Sequence, residues 1–244
     1  MNAAGPFLQA VHSLVVNGEP PGPPSRLPIT NELHGKVIFR DSKQAAPASS
    51  PMVICSDPTS LYFSPEDRAS LLASDFPHRD QLLSELPSGL HFRHLGNNHL
   101  AILWEHVHAE TPAGDPPDPQ PEFNPLFPEI VTRGLASVIP RFHDYLLGTE
   151  NLGAKMDGGY YTKTPSNLPL IDEYAAPRGA FICGALSGFG VMSACAAGEL
   201  TALRISGKPL PAYANAFEIA AQADAERLGM EPSTPGSRPR DVQL

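Results

Sequence analysis

Residues 180–198 read A-F-I-C-G-A-L-S-G-F-G-V-M-S-A-C-A-A-G. Four apolar residues run into Gly184, three glycines follow at positions 184, 188 and 190, and a run of small residues comes after them. This predicts a buried strand, a tight turn and a helix beginning near Gly188. The first N–H groups of a helix have no intrahelical acceptor and carry partial positive charge. Glycines there permit close approach to the backbone. Such a unit suits a flat ligand with an electron-rich edge. On the motif alone, a plain helix–strand packing turn accounts for the same glycines.

Three better-known glycine motifs fail on spacing. A GxGxxG dinucleotide fingerprint needs a glycine where Ser193 stands. A hydrolase elbow needs GxSxG, whereas Gly184–Gly188 reads GxxSG. A P-loop needs Gly-Lys-Ser/Thr, which does not follow these glycines.

Working outward, Gly158–Asp172 reads G-G-Y-Y-T-K-T-P-S-N-L-P-L-I-D, and the chain opens with M-N-A-A-G-P. Three pieces occur in order: N-A-A-G-P at Asn2–Pro6, Y-T-x-T-P-x-x-x-P-L-I at Tyr161–Ile171, and G-x-x-S-G-x-G followed by A-A-G-E-L at Gly184–Leu200. Together they resemble the glycine oxidase, sarcosine oxidase and D-amino-acid oxidase superfamily of FAD-dependent oxidoreductases. The resemblance covers Asn2–Pro6 and Gly158–Gly207 and is loose between Pro20 and Gly148.

The resemblance implies an α/β (α+β) fold. A partial Rossmann-type FAD domain is built from both ends of the chain, with an antiparallel-sheet substrate domain between. Mapped here, residues 1–18 and 156–228 are flavin-domain pieces, 19–155 the substrate-type domain and 229–244 a disordered tail. The implied chemistry oxidises a C–N bond of an amine or amino acid by hydride transfer to FAD. The implied cofactor contacts fall on Ala4, Gly5, Thr164, Gly184, Ser187, Gly188, Phe189, Gly190 and Val191. Some relatives attach flavin through a cysteine where this chain has Gly159, so FAD is expected to be noncovalent. No catalytic base is implied.

The family's N-terminal strand, GxGxxG turn and acidic ribose partner do not occur in this sequence. That piece would be roughly 100–200 residues, an ordinary domain. The chain is therefore expected to be the C-terminal portion of such an enzyme, partnered by a missing N-terminal half. The alternative is an inactive remnant, or a partner-dependent half that does not bind FAD alone.

Composition narrows the rest. A net charge of −9 over 244 residues argues against a nucleic-acid partner. No apolar run reaches the roughly 20 residues of a membrane span, and no leader is visible, so an intracellular, cytoplasmic location is expected. Three cysteines, Cys55, Cys183 and Cys195, give no disulfide framework and are expected to be reduced and buried. The 28 prolines cluster in runs such as Pro20–Pro28 and Thr111–Pro121, which reads as stiff connections.

Elsewhere the pattern predicts strands over Lys36–Arg40, Met52–Cys55, Leu90–Leu95 and His99–His108, the last two joined at Gly96-Asn97-Asn98. Helices are predicted at Phe7–Val16, after Ser64 as N-cap with Pro65 in the first turn, over His78–Leu86, over Ile130–Leu147 with a break at Pro140, and over Tyr213–Leu228. His106 and His108 share a strand face, but no third metal ligand stands at a diagnostic spacing, so no metal site is assigned. Lys163 is expected to be solvated. One of Tyr160 and Tyr161 is expected in the core with the other beside the flavin ring, and Trp104 is expected in the core.

Overall fold

A computed structural model of the chain describes residues 1–16, 26–104, 116–146 and 154–230. Of these, the residues of Met1–Leu33, Thr111–Pro121 and Tyr160–Leu244 form one compact unit. Those of His34–Glu110 and Glu122–Gly159 form a second.

The second unit is organised by antiparallel pairing. Its strands are β1 (Thr30–Arg40) from His34 onward, β2 (Val53–Ile54), β5 (His91–Gly96), β6 (His99–Leu103) and β7 (Lys155–Lys163) as far as Gly159, in a sheet ordered β2-β5-β6-β1-β7. A two-stranded ribbon of β3 (Thr59–Ser60) and β4 (Glu85–Leu86) lies apart from it. Asn97 and Asn98 take φ +49° and +56°, the left-handed pair that a two-residue hairpin turn requires. Helix α4 (Phe127–Val138) stops before Pro140, and a 3-10 turn carries the chain to Tyr145. Its Phe127, Val131 and Leu135 join Phe39, Phe92, Trp104 and Phe142 in one core. Helix α2 (Pro65–Leu72) is capped as its sequence predicts, Ser64 Oγ accepting from Asp67 N at 3.0 Å. Helix α3 (Arg79–Leu83) is shorter than expected, because the chain turns at Ser84 to pair β4.

The first unit is layered. Strand β8 (Leu170–Glu173) pairs antiparallel with β9 (Phe181–Gly184), Leu170 opposite Gly184. Four residues are too few for alternation to mark β8 in the sequence. Asn2 adds a parallel bridge to Ile182, its N–H donating to Phe181 O at 2.7 Å and its carbonyl accepting from Cys183 N at 2.9 Å. Both faces of this small sheet are covered, as alternating side chains demand. On one face Leu170 and Ile182 pack with Leu8 of α1 (Leu8–Val16). On the other, Ile171 and Cys183 pack with Ala197 and Leu200 of α5 (Gly190–Ile205).

The helix expected over Tyr213–Leu228 is broken. A 3-10 turn, Ala212–Phe217, precedes α6 (Ile219–Arg227), and Glu218 between them is extended at φ −75°, ψ 146°. Asp172 explains the break: its Oδ2 accepts from Ile219 N at 3.0 Å, capping α6 from a distant strand. Arg204 clamps the same corner, 3.1 Å from Asp172 Oδ1 and 3.2 Å from Glu218 Oε1. Burial, opposed by the Ile219 N–H and the Arg204 guanidinium, still pushes the Asp172 carboxyl above its usual range.

Candidate functional site

Strand β9 ends at Gly184, and the chain then changes hand residue by residue. Ala185 has φ +55°, Leu186 has φ −81° and ψ 7°, and Ser187 has φ +51°. A left-handed conformation costs an L-residue on the order of 1 kcal/mol or more. Here it is held by packing: Ala185 is buried in the α1 core and Leu186 packs against the α5 core. Alternating left- and right-handed residues turn successive N–H groups toward one concave side, an arrangement that attracts electron-rich atoms. A 3-10 turn over Ser187–Phe189 leads into α5 at Gly190, Phe189 N donating to Leu186 O at 3.0 Å. The helix thus starts within two residues of Gly188, as the sequence predicts. Phe189 is 50% exposed and Val191 95%, so this end of α5 is open to a ligand.

The N-terminal segment arrives at the same edge. Asn2 runs parallel to Ile182, so the chain emerging at Ala4–Gly5 and the chain emerging at Ala185–Gly190 leave the small sheet at one end. Ligands in α/β proteins bind outside the carboxyl ends of parallel strands. Gly5, at φ +58°, makes the turn into α1. Asn2 is an architectural lock that the sequence reading did not single out. Its buried amide donates to Leu8 O at 2.9 Å and to Tyr174 Oη at 3.0 Å. Burial raises the Tyr174 hydroxyl above the usual tyrosine range, against the bond from Asn2.

The glycines have individual reasons, and two differ from the expected close approach of a ligand. A methyl on Gly184 would collide with the Leu8 side chain, and one on Gly188 would sit 2.8 Å from Tyr161 Cε2. Those two positions are glycine because the protein's own side chains press on them. At Gly190 the nearest atom would be Leu186 Cβ at an ordinary 3.7 Å, so the space there is open. Thr164 is wholly buried, and its hydroxyl donates to Leu168 O at 2.6 Å, which places that side chain in the turn after β7.

Three further expectations are corrected. Lys163 is not solvated: its ammonium lies 2.5 Å from Glu32 Oε2, with side chains only 11% and 14% exposed. Glu32 was missed because only the apolar second half of β1 reads as a strand. Neither Tyr160 nor Tyr161 enters the core, and both are half-buried. Cys195 is exposed and Cys183 half-buried, so the thiols are not all inside, though all three are free. Trp104 is in the core as expected, its indole N–H donating to Pro87 O at 2.9 Å.

Among the described residues no group of three His, Cys, Asp or Glu is placed to hold a metal, and no helix is long and apolar enough to cross a membrane. His106, His108 and the tail 231–244 lie outside the described residues.

The architecture is mixed α/β, and it is shared with a solved L-proline dehydrogenase. L-proline dehydrogenase from P. horikoshii superposes on 92% of this chain with a TM-score of 0.55 and 18% sequence identity. The match covers 46% of that enzyme, so this chain spans about half its length. Glycine oxidase from Geobacillus kaustophilus (TM-score 0.49, 15% identity, 79% of this chain and 39% of that one) and L-amino acid deaminase from Proteus vulgaris (0.48, 17%, 90% and 41%) align less closely. No family model and no curated protein matches the sequence.

Proposed function

We propose that this chain is part of an FAD-dependent oxidoreductase acting on an amine or amino acid, and that it presents the turn 184–191 to the flavin. The observation that carries this reading is the alternating-hand turn at Ala185–Ser187 leading into the open N-terminus of α5, set in a fold shared with an L-proline dehydrogenase. The residues fit a noncovalent flavin. The N–H groups of Ser187, Gly188, Gly190 and Val191 would face its electron-rich pyrimidine edge, with Phe189 alongside and Ala4–Gly5 at the same edge. The bound flavin supplies the hydride acceptor for a carbon bearing an amine nitrogen. The chain's own contribution is electrostatic: a fixed positive helix end stabilises negative charge that grows on the ring edge, with no reorganisation needed.

This sequence holds no GxGxxG, so a pyrophosphate cradle must come from outside these residues, from a further segment or a partner chain. The exposed face of α5 supports that part of the reading. Val191, Met192 and Ile205 are 95%, 75% and 55% exposed on a helix otherwise rich in alanine and glycine. A partner-dependent half that does not hold FAD alone is favoured by the same two features.

The test is FAD binding, followed by flavin fluorescence. Residues 1–244 alone are expected to bind weakly, and the same residues joined to an upstream GxGxxG-containing segment tightly. Tight binding by the short chain as a soluble monomer overturns the requirement for a second half. No binding by either form overturns the flavin reading.

A further inference from the structure

A second candidate site lies in the other compact unit. Helices α2 and α4 and the segment leading into α3 line an open pocket of about 380 Å³. Phe63, Leu71, Phe76, Leu82 and Ile130 provide its apolar wall. Its volume falls within the range of roughly 300–1,000 Å³ typical of small-molecule sites, which are likewise mostly apolar with a few polar groups.

The polar groups at its edge give the sign of the ligand. Arg133 is only 13% exposed and its charge is already engaged. Its Nε donates to Glu129 Oε1 at 2.8 Å, its Nη1 to Tyr62 O at 3.0 Å and to Asp67 Oδ2 at 3.4 Å, and its guanidinium lies 4.6 Å from the Phe63 ring centroid. Asp67 and Glu129 remain 47% and 53% exposed. The lining residues carry one guanidinium and two carboxylates, a formal charge of −1, and Arg79, whose Nη1 donates to Ser74 O at 3.3 Å, is balanced by Asp80 at 2.8 Å. An anion entering would meet both carboxylates before reaching Arg133. A cation would find two half-exposed carboxylates beside an apolar wall.

We propose that this cavity binds a small apolar molecule carrying a positively charged nitrogen, an alkyl- or arylammonium. The apolar wall takes the hydrocarbon part, and Asp67 and Glu129 receive the ammonium at the mouth. Ser70 and Ser74 also line the pocket.

The test is titration calorimetry of the full chain with n-octylammonium, octanoate and octanol. Octylammonium is expected to bind saturably and more tightly than octanol, with octanoate weakest. Asp67→Asn, a substitution at an exposed position, is expected to weaken octylammonium about 3-fold while leaving octanol unchanged, the size of one partly screened charge contact. Ser70→Trp, which plugs the mouth from the solvent side of α2, is expected to abolish binding of all three. Because both substitutions are at exposed helix positions, circular dichroism checks that folding is retained, and Glu129→Gln provides an independent third variant. Octanoate binding as tightly as octylammonium, no saturable heat from octylammonium, or binding that survives Ser70→Trp each overturns the proposal.

Discussion

Tyr161 rests against the backbone of Gly188, so closely that a methyl there would lie 2.8 Å from Cε2 and 3.2 Å from the hydroxyl oxygen. The clash is with the outer end of a half-buried ring, which can move. Gly188→Ala is therefore expected to cost about 1 kcal/mol, at the low end of overpacking changes. In Tyr161→Ala the penalty should vanish, a coupling expected between residues in contact. Urea unfolding of the two single variants and the double variant measures it. Strictly additive effects would show that the ring does not rest on this glycine.

Gly184 is the harder case. Its missing methyl points into Leu8, which is fully buried. Neither partner has free space, so Gly184→Ala is expected to cost about 2–3 kcal/mol. Leu8→Val makes room at the price of a small cavity. The double variant should then be more stable than the sum of the singles predicts. A Gly184→Ala protein with unchanged stability would contradict the packing described here.

Tyr145 gives a pH dependence. Its hydroxyl donates to the buried Asp41 carboxylate at 2.5 Å and accepts from Lys43 N at 2.8 Å. Burial and then the hydrogen bond to Asp41 push the phenol up to about 12. In the unfolded chain it titrates near about 10. A raised value favours the neutral form in the folded state, so this contribution is complete below about pH 10 and is lost as pH rises toward 12. Tyr145→Phe is expected to lower stability at pH 7 by about 1.5–3 kcal/mol, since Asp41 loses a donor. It should also flatten the fall between pH 10 and 12. Urea midpoints at pH 7, 10 and 11 test both; a variant that falls as steeply as the natural chain would assign the loss to another group.

How much of this was legible in the sequence depends on whether a signal is local. The Asn97-Asn98 turn, the Ser64 cap and the strand–turn–helix around Gly188 all rest on residue types acting within a few positions, and all are present. The break at Glu218 is set by Asp172 and Arg204, far away in sequence, so helical periodicity over Tyr213–Leu228 gave no hint of it. The site followed the same rule. The glycine turn was readable, but the reasons for Gly184 and Gly188 are contacts with Leu8 and Tyr161, which only folding supplies. Glu32, half-buried beside Lys163, lies at the polar end of a strand whose apolar end alone carries a β pattern.

The Lys163–Glu32 pair yields the last prediction. Lys163 Nζ also lies 5.9 Å from the Tyr161 ring centroid, on the strand face that Tyr161 shares. Two nearly buried charges must each give up hydration, and their attraction offsets that loss only while both are present. Lys163→Met removes the cation and leaves the Glu32 carboxylate without this ion pair, at a side chain only 14% exposed. The residual exposure of both side chains lets some water in, so the expected cost is about 2–4 kcal/mol, a little below that of breaking a fully buried pair. Replacing both, in Glu32→Leu with Lys163→Met, removes the desolvation cost along with the attraction. That double variant is expected within about 1 kcal/mol of the natural chain. The measurement is a double-mutant cycle by urea unfolding at pH 7, repeated in 1 M salt. A buried pair is poorly screened, so the coupling should persist in salt. A coupling that disappears in 1 M salt, or a double variant less stable than either single one, would mean that Lys163 and Glu32 do not form the buried pair described.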